Sequence, residues 1–108
     1  MNDGHPLLSE VLPEFHVELA AVLRVAGEYA LADGLGLVRF HDWCDCGDDR
    51  CQSFRTAPEP EGAYGAGHRL VSLAAEDGTA IHVDVVDGFV VFVEIRDRPK
   101  LRIRFRAG

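Results

Sequence analysis

Apolar residues in the first third of the chain recur at three- and four-residue steps. Phe15, Leu19, Val22, Leu23, Ala26 and Ala30 share one side while Glu14, Glu18, Arg24 and Glu28 take the other, a spacing that predicts an amphipathic helix over residues 13–32. Pro13 suits the first turn, where no N–H is needed, and Gly34 suits the stop. Ahead of this helix, residues 1–12 read as a flexible N-terminus, which leaves residues 13–108 as a single domain.

Past residue 34 the period shortens to two. Residues 35–40 and 51–56 read as short strands that pair as a hairpin with the cysteines at its tip. Residues 57–67, rich in Pro and Gly, carry no apolar period and read as a surface loop. Three stronger strands follow at 68–75, 79–86 and 89–96, separated by Asp77-Gly78 and Asp87-Gly88. Asp-Gly between β-rich runs predicts tight hairpins in which both central residues take positive φ. Ile81, Val83 and Val85 share one face of their strand, with His82, Asp84 and Val86 on the other, and 89–96 is apolar on nearly both faces, as suits a central strand. In the tail, Leu101, Ile103 and Phe105 alternate with Arg102, Arg104 and Arg106, which fits an edge strand with arginines to water; a short helix opened by Pro99 fits as well. The sum is an α+β fold, one N-terminal amphipathic helix packed on a mostly antiparallel β-meander.

Composition changes this picture little. At 108 residues, 47% hydrophobic and 27% charged, the chain is an ordinary globular domain large enough to build its own core. No apolar run is long enough to span a bilayer and no secretory leader is visible at the start, so a cytoplasmic location is expected, without membrane insertion. Ten arginines against one lysine, with abundant Ala, Gly, Val and Asp, suggest a bacterial, GC-rich source. The net charge of -7 divides into +5 over residues 96–108 and -12 before them. Because the acidic body repels phosphate and the basic end offers only Phe105 for stacking, a nucleic-acid role is not expected. Charge matching within the chain, or between two copies in a homodimer, is the simpler use of that asymmetry.

The chemistry is concentrated in residues 41–51, His-Asp-Trp-Cys-Asp-Cys-Gly-Asp-Asp-Arg-Cys, which hold every cysteine of the chain. Three thiolates from Cys44, Cys46 and Cys51 need one further donor for a tetrahedral zinc site, and His41 or His68 can supply it. The alternatives are a thiol redox or sensing module on the same cysteines, or three thiols without a ligand. A reactive thiolate wants neighbouring cations, whereas this loop surrounds its sulfurs with Asp42, Asp45, Asp48 and Asp49 and offers only Arg50 and Arg55. A dication reverses that field, which favours the ligand role. The aspartates lack calcium-loop spacing, Gly62, Gly65 and Gly67 lack the lysine and preceding strand of a phosphate loop, and His82 with Asp84 has no nucleophile motif beside it. A half-buried histidine with a salt-bridged aspartate is the expected role of that pair.

Cys46-Gly47-Asp48-Asp49-Arg50-Cys51-Gln52-Ser53-Phe54, Gly67-His68-Arg69, and Val83-Asp84-Val85-Val86-Asp87-Gly88 with Val93-Glu94-Ile95 together resemble a family of small uncharacterised bacterial proteins. Its signature is Cys-x-Cys-Gly-Asp-Asp-x-Cys with a Val-Asp-Gly hairpin, and the likeness covers residues 38–98. It implies no substrate and no catalytic residues. The expectation is a non-catalytic domain whose zinc pins an acidic hairpin tip used for contact with a protein partner.

Overall fold

The computed structural model describes residues 4–44, 51–58, 60, 62–75 and 77–96. Cys46 and the expected edge strand at 101–106 lie outside them. Among the described residues the fold is α+β: helices α1 (Leu8–Val11), α2 (Pro13–Val25) and α3 (Tyr29–Gly34), then strands β1 (Asp42–Trp43), β2 (Phe54–Arg55), β3 (His68–Ala74), β4 (Ala80–Val86) and β5 (Phe89–Ile95). All neighbouring strands are antiparallel, in the order β1-β2-β5-β4-β3. The central place expected for residues 89–96 is therefore correct.

The long helix expected over 13–32 is instead two. Gly27 sits at φ 82°, and the Gly27 N–H reaches the Arg24 carbonyl at 3.0 Å while Glu28 N–H reaches Leu23 at 2.8 Å. That pair of bonds is the Schellman ending, which needs a left-handed residue just past the helix and so favours glycine. Ala26 and Ala30, expected on the apolar side, are exposed, and Leu31, Ala32 and Leu35 take over the burial. The strand expected at 35–40 is also displaced. Leu35–Leu37 forms a 3₁₀ turn continuing α3, and β1 begins only at Asp42. The spacing of Leu31 and Leu35 is helical, and that local period outweighs the looser alternation of 35–40.

The folded body begins earlier than Pro13. Leu8, Val11 and Leu12 are buried, and Leu8 N–H to Val38 O and Phe40 N–H to Pro6 O, both 2.8 Å, sew the segment to residues 38–40. Glu10 closes the first turn of α1 by accepting the Leu7 N–H at 2.8 Å.

At Asp87-Gly88 the φ values of 52° and 85° are those of the primed turn that two-residue hairpins require. The other Asp-Gly differs: Gly78 alone is left-handed at 87°, its N–H bonds to Ala75 O, and Ala75 N–H to Thr79 O closes a longer loop. Burial alternates along β3 and β4, with Val71, Leu73, Ile81, Val83 and Val85 buried against the helices. Phe15, Leu19 and Leu23 of α2 enter the same core. The opposite sheet face, which carries His68, Leu70, Ser72, His82, Asp84, Phe92 and Glu94, has no helix on it among the described residues.

Candidate functional site

An antiparallel pair flanks the cysteine segment as expected, but its arms are 42–43 and 54–55 in place of 35–40 and 51–56, and the tip at 45–50 lies outside the described residues. Asp42 pairs with Arg55 and Trp43 with Phe54, and the Cys44 N–H donates to Ser53 O at 2.8 Å, so Cys44 stands on one arm and Cys51 on the other. Cys51 is 3% exposed and bridges to Arg96; Cys44 is half-buried, and no disulfide joins the two.

Beneath the hairpin lies an aromatic cluster. Phe54, fully buried, meets Phe40 at 5.3 Å between ring centroids, Phe15 at 5.9 Å and Trp43 at 6.0 Å, the last two edge to face; Phe40 and Trp43 meet at 5.0 Å. These spacings are the favourable range for aromatic pairs. The pairing of β2 with β5 covers only Phe54 with Val93 and Arg55 with Phe92, and side-chain hydroxyls extend it at both ends. The buried Ser53 Oγ accepts the Ile95 N–H at 2.9 Å and donates to Ile95 O at 3.3 Å. At the other end Thr56 Oγ1 donates to Val90 O at 2.7 Å and the Thr56 N–H to Val91 O at 3.0 Å. The latter bond continues the β2–β5 register, while on the other side of β5 Asp84 pairs with Phe92 but Val85 with Val90, a β-bulge that leaves Val91 as the extra residue. The cysteine arms therefore stand on a base locked to the sheet.

Of the two histidines proposed as the fourth zinc donor, His41 precedes β1 directly, and its ring stacks on His5 at 3.8 Å and 13°. His68 opens β3, at the far edge of the sheet from β1; four strand spacings make that roughly 19 Å. There His68 Nε2 bonds Asp84 Oδ1 at 2.6 Å and its ring stacks on Tyr64 at 4.8 Å. The structure thus keeps His41 beside the hairpin and does not bring His68 to Cys44 or Cys51. Among the described residues no group of three or more His, Cys, Asp or Glu side chains is placed to hold a metal ion.

The His68–Asp84 pair and its Tyr64 lid were missed by reading the strands singly. Register finds it: the Asp87-Gly88 turn and the β3–β4 pairing set His68 against Val86 and Leu70 against Asp84, so His68 and Asp84 are diagonal neighbours on one face. Asp84 thus does not pair with His82, whose Nδ1 instead meets Ser72 Oγ at 3.1 Å. His82 and Glu94 also border an open cleft of about 460 Å³ with Asp77 and Arg96. Arg55 lies over the Phe92 ring at 5.1 Å, a cation–π contact that covers part of the same face.

Electrostatics single out one latch away from the cysteines. Arg69 grips Glu28 with two hydrogen bonds, 2.8 and 3.0 Å, tying β3 to the turn between α2 and α3. The hydrogen bonds from Arg69, aided by its charge, hold the Glu28 carboxyl below the ordinary glutamate range, and the same contact raises Arg69.

No protein-family model, no curated protein and no solved structure matches this chain.

Proposed function

We propose that this chain is a non-catalytic α+β domain whose Cys44, Cys46 and Cys51 hold a structural zinc ion at the acidic hairpin tip, and that the tip is a contact surface for a protein partner or a second copy. The observation that supports this reading is the placement of Cys44 and Cys51 on the two paired arms of one hairpin, over a base fixed by Ser53, Thr56 and the Phe54 cluster. Such a base holds thiolates on facing strands without further folding, the preorganisation that a closed four-ligand site uses. His41 is the nearer histidine donor, and its stack on His5 covers a ring face while leaving the in-plane nitrogen lone pair as the donor. Zinc also gives a reason for gathering thiols among aspartates, since its charge stabilises the deprotonated sulfurs that the aspartates disfavour.

The test is thiol accessibility in the native protein. With zinc bound, the three cysteines resist an alkylating reagent until chelator is added, and Cys46→Ala lowers both the metal content and the melting temperature. If the thiols react at once without chelator, or Cys46→Ala melts like the untreated parent in the absence of chelator, the zinc reading fails. A mobility shift reversed by reductant assigns the cysteines to the redox reading instead.

A further inference from the structure

Among the described residues the sheet ends at β3, an edge with little to protect it. The Ala75 N–H reaches Thr79 O and the Asp87 N–H reaches Gly67 O, which directs the odd-numbered residues of β3 toward β4. Antiparallel ladders alternate, so the N–H and C=O groups of Leu70, Ser72 and Ala74 point outward, away from the sheet. From Leu70 to Ala75 this edge carries no proline, no bulge and no charged side chain, the devices that normally block pairing. Leu70 is 55% exposed on the open face.

We propose that β3 pairs with β3 of a second copy of this chain, antiparallel about a two-fold axis through Ser72, to give a continuous sheet across the dimer. The strand is complementary to itself in that register and needs no foreign sequence. Ser72 then faces Ser72 of the partner copy, Leu70 faces Ala74, and Val71 faces Leu73, apolar against apolar on both sides of the sheet. Leu70, Ser72 and Ala74 exchange about six main-chain hydrogen bonds. Charge does not oppose the pairing at this edge, because Arg69 is already neutralised by Glu28. The two Arg69 side chains lie at opposite ends of the joined strands and do not meet. A strand-to-strand contact is small, so the dimer dissociates in the micromolar range. This inference does not depend on the zinc reading.

Sedimentation velocity over a dilution series tests it, with a charge swap at the axis. The parent chain is expected to move from dimer to monomer on dilution. Ser72→Lys alone, and Ser72→Glu alone, set like charges directly opposite each other and leave monomers at concentrations where the parent is dimeric. An equimolar mixture of the two variants restores a dimer containing one of each. Ala74→Pro removes an outward N–H without touching the β3–β4 ladder and weakens association at least tenfold. A parent chain that stays monomeric at about a hundred times micromolar concentration overturns the proposal. So does a dimer that survives Ser72→Lys, or a variant mixture that remains monomeric.

Discussion

Ser53→Ala probes the joint between the cysteine hairpin and the sheet. The Ser53 hydroxyl is buried, 1% exposed, and is the acceptor for the Ile95 N–H at 2.9 Å. Its own proton goes to Ile95 O, but that carbonyl also receives the Gln52 N–H at 2.8 Å and stays satisfied when the hydroxyl is lost. The substitution therefore orphans one buried donor, which costs about 1–3 kcal/mol, with ~2 kcal/mol as the central value. For a domain of this length that lowers the melting temperature by about 8 °C, and it removes a sizeable part of a total stability of about 5–15 kcal/mol. Urea denaturation followed by circular dichroism measures it, provided the slope with denaturant is unchanged. Val25→Ala, at the exposed end of α2, is the control and is expected to shift stability by less than about 0.5 kcal/mol. If Ser53→Ala melts within about 2 °C of the parent, the hydroxyl does not carry the β2–β5 joint and the argument for a fixed base is wrong.

Phe54→Ala removes the ring that touches Phe15, Phe40 and Trp43, and is expected to lose about 3–5 kcal/mol in the same denaturation assay, with the Trp43 fluorescence moving toward its solvent-exposed value. Gly88→Ala puts a Cβ at φ 85° in the Asp87-Gly88 turn and is expected to destabilise by about 1 kcal/mol, whereas Gly36→Ala, with open space around it and no positive φ, is expected to change stability little; melting curves separate them. Glu28 has its folded carboxyl pKa depressed by Arg69, so its contribution is present above the unfolded glutamate range and is lost as pH falls through the folded value. The stability gap between the parent and Glu28→Gln is thus expected to be widest near neutral pH and to close in acid. A gap that stays constant with pH in urea titrations contradicts the latch.

How much of this was legible beforehand depended on the range of the forces involved. The strands at 68–75, 79–86 and 89–96 were readable to within a residue because their alternation and the Asp87-Gly88 turn are local signals that agree with the tertiary fold. The helix break at Gly27 was not, since Ala26 and Ala30 extend the apolar stripe through a point where the Schellman bonds end the helix. The early start at Leu8 escaped because its burial comes from pairing with residues 38–40, far along the chain. The same holds for chemistry. Neighbouring cysteines announce themselves in the sequence, and the structure does place Cys44 and Cys51 on one hairpin. The choice between His41 and His68 depends on strand order, β1 and β3 at opposite edges, which no local pattern encodes.

Native mass spectrometry of the purified chain, with and without chelator, reaches the centre of the account. A single zinc ion per chain, removed by chelator and regained when zinc is returned, with the melting temperature following it down and back, is the expected result. A chain that carries no metal after expression in zinc-replete medium, takes up none when zinc is added, and melts identically in chelator contradicts it.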